Sequence, residues 1–204
     1  MKTFIFEGNY PSYNIQGIFP LSDKEDCPAT AVYTVPDTAL LTRGRPLFLP
    51  EWAEPCAVQA HLAVRICRLG KGIPARFAHR YYDAVTVATV FTATELLEKL
   101  RKEGLPWLLA KSFDGAVALG EFQPKEDAST ALQLTRNGQT IQLMDTREML
   151  HTAEELIAAA SRNHKLCHGD LLLCGTSSPG ATVCENDRIE GFLGEMRLLA
   201  FNVK

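Results

Sequence analysis

The chain has 204 residues, 46% hydrophobic and 22% charged. That is enough apolar side chain to bury a core, and it excludes the low-hydrophobicity, high-charge composition of a disordered chain. A net charge of −3 and a pI near 6.0 supply no basic field for nucleic acid or an anionic membrane. No window approaches the ~20 apolar residues of a membrane span, and Glu7 cuts the first apolar run too short for a signal peptide. The expectation is one cytoplasmic domain over 1–204.

Residues 1–50 are irregular, broken by Pro11, Pro20, Pro28, Pro36, Pro46 and Pro50, with short strands predicted at Thr3–Phe6 and Thr30–Thr34. Ala57–Leu69 alternates, Val58, Ala60, Leu62, Val64 and Ile66 against Gln59, His61, Ala63, Arg65 and Cys67, which is the period of a strand. A short helix is expected to end near Asp83, with Arg80, Tyr81 and Tyr82 packed around it, and Val85–Phe91 reads as a buried strand. Thr92-Ala-Thr-Glu95 has capping-box spacing ahead of an apolar stripe at Ala93, Leu96, Leu97 and Leu100, stopped by Gly104 and Pro106. Leu132–Gln142 reads as a hairpin about Asn137-Gly138. A second capping box, Thr152-Ala-Glu-Glu155, opens a helix with Ala153, Leu156, Ile157 and Ala160 on one face. After a Gly169-Asp170 turn come strands at Leu171–Cys174, Ile189–Leu193 and Arg197–Val203. Strands outnumber helices and rarely alternate with them, so the fold class is α+β and β-rich.

Six cysteines, at 27, 56, 67, 167, 174 and 184, read as reduced, mostly buried thiols, since Cys67 and Cys174 sit in apolar runs and no export signal is present. His164, Cys167 and His168 invite a metal reading, but neighbours on a turn rarely converge on one ion. Cys174 has no adjacent base in the local sequence to activate it as a nucleophile.

A series of ordered segments resembles the fumarylacetoacetate hydrolase family: Gly8-Asn9-Tyr10, Pro36-Asp-Thr-Ala-Leu-Leu41, Phe77-Ala-His-Arg-Tyr-Tyr-Asp83, Phe91-Thr-Ala93, Gly104-Leu-Pro-Trp107, Ala110-Lys-Ser-Phe-Asp114-Gly115, Asn137-Gly138 and Gly169-Asp-Leu-Leu-Leu-Cys-Gly-Thr176. The resemblance implies a mixed β-sandwich roll with a few flanking helices, commonly a homodimer, with a lid over residues 8–28. It also implies Mg²⁺- or Mn²⁺-dependent hydrolysis, decarboxylation, hydration or isomerisation of 2-oxo acids, the metal acting as a Lewis acid. Substrate contacts are implied at Tyr10, Lys111, Asp114, Gly175 and Thr176.

The metal and acid/base positions depart from that pattern. The family's Glu-x-Glu pair falls on Gln59 and His61, and its metal-binding Asp on Val90. In its Gly-Arg-Asn-Tyr, His, Glu sequence, Gly8 stands for the Arg, Tyr13 for the His and Gln16 for the Glu. Thr94 replaces an Arg and Val35 a Lys. An amide, an imidazole and an isopropyl group offer no anion to a hard cation, and Gln16 does not titrate. The expectation is therefore no cofactor, no assignable catalytic residue, and a catalytically degenerate scaffold with a small-anion pocket at Lys111 and Thr176. The alternative is an active hydrolase, isomerase or decarboxylase of 2-oxo acids with an altered mechanism. Gln59 and His61 read either as a repurposed polar pair or as ordinary hydrogen-bonded residues. Lys111 reads either as a binding residue or as a structural partner of Asp114.

Overall fold

In the computed structural model, which describes residues 1–13, 31–127 and 129–204, the alternating segment forms β3 (Cys56–Ile66), paired antiparallel along its whole length with β4 (Tyr82–Ala93). Both faces of this pair are covered, which is why β4 reads as an almost continuous apolar run rather than an alternation. Around the pair a mixed sheet runs β2 (Ala31–Val35), β1 (Thr3–Glu7), β9 (Leu171–Leu173), β3, β4, β5 (Val117–Leu119). The contact of β1 with β9 is parallel. Strand β10 (Ala181–Val183) pairs with the start of β3, and β6 (Gln123–Pro124) with β4.

A second, antiparallel sheet has the order β12 (Met196–Asn202), β11 (Arg188–Leu193), β7 (Ala131–Arg136), β8 (Gln139–Asp145). The β7–β8 turn is the expected one: Asn137 and Gly138 take φ of 52° and 79°, as a type I′ turn requires. Leu132, Leu134, Ile189, Leu199 and Phe201 of this sheet meet Phe4, Phe6, Val58, Val87 and Phe91 of the first in the main core. Helix α3 (Ala153–Asn163) adds Leu156, Ile157 and Ala160 to that core. The opposite face of the large sheet carries a smaller cluster, Ile5, Val35, Ala63, Ala88, Val90, Val117, Leu171 and Leu173. The β-rich α+β expectation holds, and the roll comes from these two facing sheets.

One local expectation holds and two are corrected. The capping box at Thr152 forms, with Glu155 N–H donating to Thr152 Oγ1 at 3.3 Å and Thr152 N–H to Glu155 Oε2 at 2.9 Å. The one at Thr92 does not. Thr92 pairs with Ala57 inside β4, helix α2 (Thr94–Lys102) starts later, and its N-cap is Ala93. Thr94 Oγ1 instead donates to Pro55 O at 2.8 Å. Helix α1 is only Ala75–Ala78; Tyr82 and Asp83 already belong to β4, where Asp83 accepts two hydrogen bonds from Arg65 at 3.1 and 3.0 Å. Of the described thiols, all free, Cys56 and Cys174 are buried, Cys67 and Cys167 half-buried and Cys184 exposed. Cys27, Gln16 and most of the expected lid lie outside the described residues. No described helix is long and apolar enough to cross a membrane.

Candidate functional site

Strand register gathers the site. Ile5 lies level with Leu173, and Leu173 with Ala63. Two residues further along each strand stand Glu7, which ends β1, and His61, which lies opposite Ala88. Side chains two apart on a strand share a face, so Glu7, Gln59 and His61 point to the side of the sheet that holds Val90, away from the main core. Gln59 and Val90 are direct cross-strand partners. The three positions mapped to the family's ligands are thus brought together, as the alternation of β3 implied.

Lys111, the last residue of a single turn at Leu108–Lys111, enters the same face. Its Nζ stands 2.5 Å from Glu7 Oε1, with Lys111 3% and Glu7 5% exposed. Tyr33 from β2 donates its hydroxyl to the same Glu7 oxygen at 3.2 Å, and its ring lies 5.8 Å from Nζ. Burial first, then the Glu7 charge and this hydrogen bond, raise the Tyr33 phenol well above its ordinary pKa, so it remains a donor. Lys111 is therefore neutralised by Glu7 and not by Asp114, which is exposed on a turn; this corrects the expected structural partner.

His61 is fully buried, and neither ring nitrogen has a hydrogen-bond partner among the described residues. Burial, reinforced by the Lys111 charge, lowers its pKa to about 3, so at neutral pH it is an uncharged imidazole with one donor and one acceptor open. Burial and the Glu7 charge raise the pKa of Tyr13, which stands for the family's His. Gln59 Nε2 donates to Ser178 O at 2.8 Å.

The segment after β9 is held from within. Asn9 Nδ2 donates to Cys174 O at 2.7 Å and to His151 O at 2.9 Å. Gly175 takes φ +106°, and a Cβ there would stand 2.6 Å from Asn9 Cβ, so only glycine fits. Thr176 Oγ1 accepts from Gln142 Nε2 at 2.8 Å, and Gln142 Oε1 in turn accepts Ala60 N–H at 2.8 Å. Gln142, on β8, thus reaches across to the stretch of β3 between its pairings with β9 and β10. The Gly175-Thr176 segment lies at the site, but its hydroxyl serves this bridge. Tyr10 is elsewhere, wholly buried in the main core, with its hydroxyl unpartnered among the described residues. The Cys174 thiol is buried and pushed up to about 12 by desolvation and then by Glu154, which keeps it protonated.

Sequence reasoning missed Glu7 and Tyr33. A signal existed for Glu7: it ends a strand whose residues 3, 5 and 7 share a face, and it stands where the Gly-Arg-Asn-Tyr pattern has its glycine. Tyr33 carried none, because only the strand pairing Tyr33 with Ile5 brings it near.

The profile of the fumarylacetoacetate (FAA) hydrolase C-terminal domain matches residues 9–200. The chain is similar to the mitochondrial oxaloacetate tautomerase FAHD1 of Mus musculus, 30% identical over 177 residues, 85% of this chain and 80% of that one. A fumarylacetoacetate hydrolase family protein of Yersinia pestis CO92 superposes with a TM-score of 0.86 at 25% identity, covering 100% of this chain and 92% of the other. Fumarylpyruvate hydrolase of Pseudomonas aeruginosa, in complex with Mn²⁺ and pyruvate, has a TM-score of 0.86 at 21% identity, covering 100% and 89%.

That last structure corrects the expectation of no cofactor, because a protein of the same fold is there in complex with Mn²⁺ and pyruvate. The residues of this chain do not fit the carboxylate set implied for such an ion. Gln59 and His61 are uncharged, Val90 has no donor, and Glu7 Oε1 is shared by Lys111 and Tyr33. No three His, Cys, Asp or Glu side chains converge among the described residues. Sequence match and architecture agree, and the chain belongs to the fumarylacetoacetate hydrolase family.

Proposed function

We propose that this chain is a family member in which the 2-oxo acid reaction has been lost, leaving a closed pocket on a conserved scaffold. The observation that carries the reading is the buried Glu7–Lys111 pair. Lys111 is the group that would meet the carboxylate of a 2-oxo acid, and an internal carboxylate already holds it. An incoming anion has to break that pair, and separating a buried pair costs about 3–5 kcal/mol. That lowers affinity by roughly two to four orders of magnitude, enough to remove the millimolar-to-micromolar binding usual for small metabolites. The small-anion pocket at Lys111, Gly175 and Thr176 is then present but occupied from within. The role falls to the scaffold, as a homodimeric binding or regulatory partner in the cytoplasm, one family unit over 1–204.

A second reading is supported by His61. Interconverting keto and enol forms needs a proton carrier, and relatives of this chain are oxaloacetate tautomerases. His61 has open nitrogens, yet with its pKa lowered to about 3 it is a weak base at neutral pH, which ranks this reading second.

The test is turnover of enol-oxaloacetate and of an acylpyruvate with Mg²⁺ or Mn²⁺ supplied. The expected result is the buffer rate. Metal-stimulated turnover that disappears in Lys111→Met overturns the proposal, and turnover lost in His61→Leu but indifferent to metal establishes the second reading instead.

A further inference from the structure

A separate cleft opens where the edges of the two sheets meet. Strand β12 ends the second sheet, and β5 ends the large one. Within β12 the odd residues face β11: Ile189 is opposite Phe201, Gly191 opposite Leu199, and Val203 N–H donates to Asp187 O at 2.8 Å. Even residues therefore turn their backbone groups outward, since donor and acceptor directions alternate along a strand. Two of these outward groups are capped: Leu198 O accepts Glu121 N–H at 2.8 Å and Asn202 O accepts Leu47 N–H at 2.9 Å. Between them Ala200 faces outward: β12 pairs only with β11 among the described strands, and no turn or loop bond reaches Ala200 N–H or C=O.

Ala200 lines two adjoining clefts of about 280 and 250 Å³, both of which also include Gly44, Arg45 and Phe201. The surrounding charges are unequal. Arg43 pairs with Glu121, and Arg188 and Arg197 share one oxygen of Glu190. Arg45 is exposed and has no carboxylate partner among the described residues. Leu41, Leu119 and Phe201 form the apolar wall.

We infer that this cleft binds a small carboxylate carrying an amide, such as an N-acylated amino acid or the last residue of a peptide. The ligand's N–H donates to Ala200 C=O, one carboxylate oxygen of the same extended residue accepts Ala200 N–H, and the other carboxylate oxygen meets the Arg45 guanidinium. An unpaired donor and acceptor on one residue of a strand edge match the N–H and carboxyl oxygen of one extended residue, and a guanidinium fork matches a carboxylate. A longer strand does not fit. The capped positions 198 and 202 are four residues apart, about 13 Å of strand, so Glu121 and Leu47 block continuation at both ends.

The experiment is titration of ¹⁵N-labelled protein with N-acetylglycine, and with its uncharged methylamide as control, reading the Ala200 amide resonance. The expected result is a saturable shift at Ala200, weakened about tenfold by the methylamide and by Arg45→Gln, the loss of one charge-assisted hydrogen bond. A silent Ala200 amide overturns the inference, as does equal binding by the Arg45→Gln protein. An Ala200 amide already protected from hydrogen exchange, with protection lost on dilution, also overturns it, because a second copy of the chain then covers the edge.

Discussion

Two buried residues decide the character of the site. Glu7 and Lys111 satisfy each other, so removing one leaves the other charged and alone. Glu7→Ala is expected to destabilise the fold by about 3–5 kcal/mol, whereas the double variant Glu7→Leu with Lys111→Met is neutral or stabilising. Urea unfolding of the two proteins checks this, and equal losses in both would show that the pair is not coupled. His61 gives a pH signature. Its folded pKa, about 3, lies below the reference value near 6.5, so between these pH values the unfolded chain binds the extra proton. Its contribution to stability is complete above about pH 6.5 and is lost as pH falls, by up to about 1.4 kcal/mol per unit. The predicted His61 ring shifts in NMR stay constant from pH 8 to 5, and a midpoint near 6.5 contradicts the burial argument.

At the scale of elements, two sequences of identical spacing behave differently. Both Thr92-Ala-Thr-Glu95 and Thr152-Ala-Glu-Glu155 announce a cap, but only the second is free to turn. Thr92 is held extended by its partner Ala57, and its hydroxyl is buried without a partner among the described residues. Thr152→Ala is expected to cost about 1 kcal/mol, while Thr92→Val is neutral or stabilising, because it removes an unsatisfied hydroxyl. Thermal unfolding of the two variants separates the cases, and equal losses would place a working cap at both. The same contrast shows what local sequence can convey. The β3 alternation, the Asn137-Gly138 turn and the α3 cap were legible because each is fixed within a dozen residues. The end of α1 and the start of α2 were not, because β4 draws Asp83 and Thr92 into pairing with Arg65 and Ala57 far along the chain.

For the whole molecule, the resemblance pointed to a candidate site, and the alternation of β3 explained why Gln59 and His61 share one face. What the sequence withheld is the charge balance. Lys111 was legible as a cation at the site, but its partner was not: Glu7 lies 104 residues away, and Asp114 was nearer in sequence and faces solvent. Tyr10 shows the same limit, since its segment resembles the family but its side chain fills the main core. The contact of Glu7 with Lys111 is thus a property of the assembled sheet, made when β1, β9 and β3 come into register. The most direct measurement is calorimetric titration of pyruvate, with Mn²⁺ present, into the wild-type chain and into Glu7→Gln. The account predicts no heat of binding for the wild type and saturable binding once Lys111 is released; saturable binding by the wild type that Lys111→Met abolishes would contradict it.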